Sequence, residues 1–178
     1  LVLLGVGDAA AAGRTIGFEL PRHTMRELTA AQAAELAAIL GTALAPGVRP
    51  RLVDVGPRWV VAQLPDAAAV LGVTPDLQRM RAHDRALGAT GVVVFGEHPP
   101  GAESRVELRA FAPSCGIDED PVCGSGNGCM AAYIRETGDF SILDEMCSFD
   151  SSETNKAPLM EHLRSRYGVH PILVQKNR

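Results

Sequence analysis

The chain has 178 residues, of which 46% are hydrophobic, 21% charged and 4% aromatic, and its formal net charge is −4. This composition is typical of a soluble globular protein of one domain, or one and a fraction, and no apolar run reaches the roughly 18–20 residues that span a membrane. Because Lys and Arg form no cluster and aromatic side chains are few, the sequence also argues against a nucleic-acid partner.

The hydrophobic pattern predicts an α+β or mixed α/β domain with one central helix of small residues. Strands are predicted over residues 15–20, over 51–64 as two strands interrupted by Gly56-Pro57, over 90–95 and over 105–112. Helices are predicted over residues 30–40, 66–71, 75–86 and about 124–135. The first helix has the clearest ends, because Thr29 is a suitable N-cap and Gly41 a suitable C-terminal stop.

The cysteines bear on the compartment and on metal binding. All four, Cys115, Cys123, Cys129 and Cys147, lie in the second half of the chain, within 33 residues of one another. No secretory signal accompanies them, so we expect reduced thiols and a cytoplasmic location rather than a disulfide framework. We expect no metal site, because seven and five residues separate the three closest cysteines and no His lies among them.

One segment, residues 109–134, carries the functional pattern. An acidic triplet at 118–120 is followed by Pro121, and glycines at 124, 126 and 128 open the predicted helix. Glycines at a helix entrance leave several backbone N–H groups pointing outward, and the helix dipole adds partial positive charge at the same place. The entrance of this helix therefore favours an anion such as a carboxylate.

Five residues at this entrance are candidates for the site. The backbone of Gly124 and Gly126 and the hydroxyl of Ser125 would bind the anion, while the Asp120 carboxyl and the Cys123 thiol adjoin them and can exchange protons. The simpler alternative is a tight glycine-rich turn in which Asp120 merely caps the helix. We favour the functional interpretation because an acid, a proline and a cysteine stand directly against the glycines.

The stretch EDPVCGSGNGCMAAYI at 119–134 resembles the signature of the phenazine-biosynthesis isomerase family. The resemblance continues, in the family's order, in FELP at 18–21, VDVGPRWVVAQL at 53–64, GATGVVVF at 88–95 and VELRAFAPSCGIDEDP at 106–121. It covers about residues 1–138 and is strongest over 105–134.

The resemblance implies a diaminopimelate-epimerase-like α+β fold, in which two similar halves each curl a mixed sheet around a central helix and enclose the active site between them. It implies one complete half at 23–138, preceded at 1–22 by the end of the other half and followed at 139–178 by an atypical tail. It further implies no cofactor or metal, a homodimer, and a small carboxylate substrate contacted by Asp120 and Ser125.

Cys123 has a second interpretation. In epimerases and proline racemases of the same fold, a Cys directly before GSG or GTG is one of two opposed bases. A thiolate at a helix N-terminus has a lowered pKa, which suits that role. The acids at 118–120 followed by Pro121 favour the phenazine type, so a Cys-based epimerase or racemase is the second hypothesis.

Two features depart from the family pattern. The family's acid–base Glu, in a Ser-Glu-Thr motif, and its His-Pro pair have no match upstream of residue 105, so we expect the chain to begin inside a longer parent sequence, near the end of the first half. Residues 139–178 lack the family's Gly-rich ending, as a frameshift or gene fusion would explain. We interpret the Ser-Glu-Thr at 152–154 as a coincidence.

Three functions therefore compete. The first is a cofactor-independent isomerase of a small carboxylated metabolite, incomplete here without its acid–base Glu. The second is the epimerase or racemase that uses Cys123. The third is a non-catalytic remnant or carboxylate-binding module.

Outside the motif, Trp59 and Phe111 are expected in the core or a cleft wall, and surface or loop positions are expected for His83, His98, His162 and His170.

Overall fold

The computed structural model describes residues 22–102 and 106–137, together with the backbone of two earlier strands, β1 (Val2–Gly5) and β2 (Thr15–Phe18), which pair antiparallel. The later strands are β3 (Thr24–Glu27), β4 (Arg51–Asp54), β5 (Arg58–Gln63), β6 (Gly91–Glu97) and β7 (Val106–Phe111). The helices are α1 (Ala30–Leu40), α2 (Ala67–Gly72), α3 (Leu77–Leu87) and α4 (Gly124–Thr137), with a short 3-10 helix at Pro113–Cys115.

The later strands form one five-stranded mixed sheet in the order β3-β4-β5-β6-β7. Neighbours pair antiparallel except β5 and β6, which are parallel and therefore need the crossover that α2 and α3 provide. In this register Trp59 lies opposite Gly91, and Phe111 lies opposite Val92. The start of β5, the start of β6 and the end of β7 therefore meet at the same end of the sheet.

Helices cover both faces of this sheet, because successive side chains of a strand point to opposite faces. α4 packs against β4, β5 and β6 on one face. Strand residues in that core include Val53, Trp59, Val61, Val93, Phe95 and Leu108. The opposite face, with Val60, Val92 and Val94, packs with apolar side chains of α1, α2 and α3. α4 is thus the buried central helix that its small residues predict.

The helices on the sheet face opposite α4 begin and end at residues suited to those positions. Thr29 caps α1 in a reciprocal capping box, and the carboxylates of Asp66 and Asp76 accept from backbone amides of the first turns of α2 and α3. α1 and α3 end at Gly41 and Gly88, both left-handed, at φ 68° and 63°. These local signals explain why helix boundaries are readable from the sequence.

All helices predicted over the described residues are present, as α1 to α4, and the predicted strands correspond to β2 and to β4 through β7. Three elements were not predicted from the sequence: β1 (Val2–Gly5), β3 (Thr24–Glu27) and the 3-10 helix at Pro113–Cys115. β3 is an edge strand whose four side chains are exposed or only half-buried, so it carries no hydrophobic alternation.

The expectation that His83 occupies a surface or loop position is wrong. Its side chain lies on α3 and is only 6% exposed, next to the fully buried Asp84. Met80, His83 and Asp84 stand three and four residues apart, so helical periodicity places all of them on the buried face of α3. The polar residues next to His83 in the sequence had indicated a surface position instead.

Trp59 and Phe111 are buried, as expected, on opposite faces of the sheet, and His98 follows β6 in a loop. The expectations for His162, His170, the Ser-Glu-Thr at 152–154 and the rest of 139–178 lie outside the described residues. The predicted division of the chain into residues 1–22, 23–138 and 139–178 stays a prediction. Among the helices that the structure describes, none is long and apolar enough to cross a membrane.

Candidate functional site

The acidic loop before α4 is tied back to the strand that precedes it. Ala112 and Ile117 form a two-way backbone bridge, which closes the loop around the 3-10 helix. The amide of Asp120 then donates to the carbonyl of Ala110 at 2.9 Å. These bonds bring the predicted acid back to the end of β7, beside the first turn of α4.

An ion pair between Arg109 and Glu119 also fixes this loop. The guanidinium of Arg109 donates two parallel bonds to the Glu119 carboxylate, each 2.8 Å long, and a third of 2.7 Å to the carbonyl of Val73 after α2. The pKa of Glu119 is lowered and that of Arg109 is raised, in each case chiefly because of this hydrogen-bonded pairing. Arg109 therefore joins β7, the end of α2 and the residue before Asp120.

Asp120 is half-buried at the entrance of α4. Its Oδ1 accepts from the amide of Val122 at 3.0 Å, a local turn that fixes the carboxylate. Val122 precedes Gly124, the first residue of α4, so this bond closes the turn before the helix and is not the helix cap of the simpler alternative. It leaves the carboxylate beside the Cys123 thiol, whose pKa its charge helps to raise.

The Cys123 thiol is buried directly before α4, where its Sγ accepts from the amide of Gly126 at 3.3 Å. Burial is the largest influence and raises the pKa of Cys123, although the Gly126 amide and the Ser125 hydroxyl lower it. The sequence-based expectation of a lowered pKa is therefore wrong, because desolvation outweighs the helix terminus here. Burial likewise raises the pKa of Cys129 to about 12.

The two candidate glycines have different surroundings. Gly124 is exposed, and a Cβ built on it would meet nothing within 4 Å. Gly126 is buried, and a Cβ there would lie 2.8 Å from Cys123 Sγ and 2.9 Å from Val93 Cγ2. Gly126 thus lets the helix approach β6, whereas the open amide end of α4 is at Gly124 and Ser125, in the first turn.

Ser125 is half-buried, and its hydroxyl has a partner that the sequence analysis did not identify. The indole Nε1–H of Trp59 donates to Ser125 Oγ at 3.0 Å, and Cys123 Sγ lies 3.8 Å from the same oxygen. The only signal in the sequence was a lone tryptophan at the start of a predicted strand, because a buried indole N–H usually finds an acceptor.

The structure therefore brings all five predicted site residues together at the N-terminus of α4. The amides of Gly124 and Ser125 and the dipole of a 14-residue helix favour an anion there, with the Asp120 carboxylate beside it. Within the described part of the chain, no group of three or more His, Cys, Asp and Glu side chains could hold a metal ion.

Comparison with known families agrees with this sheet and this motif. The model of the family described as phenazine biosynthesis-like protein matches residues 5–165. The chain belongs to that family, whose members have the diaminopimelate-epimerase-like fold expected from the sequence. The matched range includes residues 139–165, part of the segment predicted to be an atypical tail.

Three relatives show how much of the chain is matched, and two of them are named isomerases. Antisense-enhancing sequence 1 of Schizosaccharomyces pombe is 38% identical over 122 residues, which cover 67% of this chain and 40% of that protein. An uncharacterized isomerase of the same organism is 40% identical over 85 residues, covering 48% of this chain and 45% of that protein. Trans-2,3-dihydro-3-hydroxyanthranilate isomerase of Pseudomonas chlororaphis is 28% identical over 106 residues, or 59% and 35% of the two chains. The chain spans less than half the length of each.

Two solved structures show the same fold. A phenazine biosynthesis protein of the PhzF family from Bacillus anthracis superposes with a TM-score of 0.56 at 18% identity, covering 65% of this chain and 40% of that one. A predicted epimerase from Pseudomonas aeruginosa superposes with a TM-score of 0.52 at 23% identity, covering 68% and 41%.

Proposed function

We propose that the chain forms the carboxylate-binding side of a cofactor-independent isomerase, which acts on a small carboxylated metabolite by proton transfer. The observation that carries this proposal is the open amide end of α4 at Gly124 and Ser125, adjacent to the fixed carboxylate of Asp120. Membership of a family with relatives named isomerases supports the reaction class.

Each group has a distinct task in this proposal. The amides of Gly124 and Ser125 bind the substrate carboxylate, and the Ser125 hydroxyl adds a third donor. Asp120 accepts from a polar group of the substrate near the carbon that loses or gains a proton. No Glu upstream of residue 105 matches the family's acid–base motif, and general acid–base catalysis contributes about 10²–10⁴-fold. We therefore expect the residues assigned here to bind the substrate and to add only slightly to its proton exchange.

The test uses trans-2,3-dihydro-3-hydroxyanthranilate, the substrate in the name of one relative. The chain is titrated with it in D2O, and proton NMR follows both its binding and its exchange of C–H for C–D. We expect saturable binding and exchange slightly faster than in buffer. Asp120→Ala should reduce the exchange to its rate in buffer, whereas Asp118→Ala, which removes an exposed neighbouring acid, should leave the wild-type rate unchanged.

The outcomes separate the hypotheses. Binding without exchange above that of buffer supports the carboxylate-binding module instead of the isomerase. Absence of any binding contradicts both of them. Undiminished exchange in Asp120→Ala removes the role assigned to that carboxylate.

The thiol chemistry bears on the epimerase alternative. Cys123 is buried with a raised pKa, whereas Cys115 is exposed, so iodoacetamide should modify Cys115 at least about tenfold faster at neutral pH. Peptide mapping by mass spectrometry measures both rates in one sample. Preferential alkylation of Cys123, blocked by adding the carboxylate substrate, would instead favour the epimerase.

A further inference from the structure

The bond between Trp59 and Ser125 joins two elements that are far apart in sequence. Trp59 opens β5, Ser125 lies in the first turn of α4, and 66 residues separate them. Trp59 is the only tryptophan of the chain, and it is 3% exposed. Its indole N–H donates to Ser125 Oγ, the one hydroxyl that the candidate site contains.

The chemistry of the two groups makes this bond directional. An indole N–H can only donate, whereas a serine hydroxyl has one proton to donate and two lone pairs to accept with. Trp59 occupies an acceptor position of Ser125 Oγ, so the Ser125 proton must point elsewhere. Cys123 Sγ lies 3.8 Å from the same oxygen, and either atom could be the donor of that contact. As an acceptor of the Ser125 proton, a thiol sulfur is weak, so a carboxylate at the open helix end outcompetes it.

Packing holds the indole in this place. Trp59 belongs to the core between the sheet and α4 and lies opposite Gly91 of β6. A Cβ at Gly91 would lie 2.8 Å from Trp59 Cζ3, so the absence of a side chain there provides the space for the ring. A Cβ at Gly91 would also clash with the backbone carbonyl oxygen of Phe111. The indole therefore has little freedom to withdraw from Ser125.

We propose that Trp59 is a positioning residue of the carboxylate site, which occupies the acceptor side of Ser125 and thereby orients the Ser125 hydroxyl as a donor to the bound carboxylate. This inference rests on the proposed function, because it assigns the third donor of the same site. It adds a residue from the sheet, outside the 109–134 segment, to the binding apparatus.

The first test compares carboxylate affinity by isothermal titration calorimetry, with anthranilate as the probe. Trp59→Phe keeps an aromatic ring and removes the N–H, and Ser125→Ala removes the hydroxyl. We expect each to weaken binding about threefold to tenfold, and the double variant to be no weaker than Ser125→Ala alone. Thr137→Ala is the matched control, since its hydroxyl bonds to carbonyls at the other end of α4.

The second test does not require the tryptophan to be replaced. With one tryptophan, the protein gives one indole 1H–15N cross-peak, and Ser125→Ala should shift it upfield by removing the acceptor. Anthranilate should also move this cross-peak in the wild-type protein. The same cross-peak position in Ser125→Ala and wild type would overturn the proposal, even if Trp59→Phe fails to fold.

The outcomes separate this inference from the function on which it depends. Wild-type affinity in Trp59→Phe, together with weakened binding in Ser125→Ala, overturns the positioning role and leaves the carboxylate site intact. Absence of anthranilate binding to the wild-type protein overturns both. Equal losses that do not add in the double variant support the role of Trp59.

Discussion

At the scale of single residues, the largest surprise is a buried acid outside the site. Asp84 on α3 is fully buried, and the nearest imidazole nitrogen, Nδ1 of His83, lies 3.7 Å from its Oδ1, too far for a good hydrogen bond. Desolvation is the main cause that raises the pKa of Asp84, against a smaller opposing influence of His83. A buried acid with few donors around it destabilises the fold once it ionises.

The sign of the pH dependence follows from this. A carboxyl whose pKa is raised by folding binds its proton more tightly in the folded state, so its contribution is fully present below the ordinary pKa of about 4 and is lost as pH rises through the higher folded pKa. Asp84→Asn should therefore increase the free energy of unfolding at pH 7, by an amount on the order of 1 kcal/mol, and flatten its dependence on pH.

Urea unfolding of wild type and Asp84→Asn between pH 4 and pH 8 measures this effect. Asp76→Asn is the matched control, because Asn caps a helix as well as Asp does and α3 should keep its stability. Loss of stability in Asp84→Asn at pH 7 would mean that the pairing with His83 outweighs the desolvation.

A second residue-scale prediction concerns the two glycines of the site. Gly126→Ala places a methyl group against Cys123 Sγ and Val93 Cγ2 and should destabilise the protein by about 1–3 kcal/mol. Gly124→Ala meets open space and should change stability little, or improve it slightly through helix propensity. Thermal unfolding compares the two variants. Equal losses would contradict the close approach of α4 to β6.

At the scale of elements, the clamp made by Arg109 explains how a loop positions Asp120. Arg109→Met removes the ion pair to Glu119 and leaves the carbonyl of Val73 without its donor. The expected loss is about 1–3 kcal/mol, nearer the lower end because the Glu119 side chain is 42% exposed. Anthranilate affinity should fall as well, since the loop before α4 loosens.

The matched control for the clamp is Arg79→Met. Arg79 pairs with Glu35 in a similar two-bond geometry, but both side chains are exposed, and they lie on α3 and α1, which cover the sheet face opposite α4. We expect no measurable change in urea midpoint or anthranilate affinity. A similar effect of both substitutions would indicate that Arg109 is an ordinary surface charge.

The same scale shows what a sequence can reveal. Caps such as Thr29 and Gly41, and the two apolar stretches that Gly56-Pro57 separates within 51–64, act within a few residues, so all four helices and most strands were predictable. The five site residues were predictable because the motif keeps them within seven positions of one another. The bond from Trp59 to Ser125 was not, because it depends on the register of β5 with β6 and on the packing of α4. The raised pKa of Cys123 needed burial, which local pattern does not give.

At the scale of the whole molecule, the candidate site lies where three strand ends meet. The start of β5 supplies Trp59, the start of β6 supplies the space at Gly91, and the end of β7 leads into the loop that carries Asp120. α4 presents its N-terminus to this end of the sheet. The site therefore depends on the packing of β5, β6 and β7 as well as on the motif.

The most direct test of this account is backbone amide NMR during a titration with anthranilate. The account predicts that the largest shifts occur at the amides of Gly124 and Ser125 and at the Trp59 indole, with saturation at a single dissociation constant. Shifts concentrated elsewhere, for example on the α1–α3 face, or no saturable shift at the N-terminus of α4, would contradict a carboxylate site at that helix end.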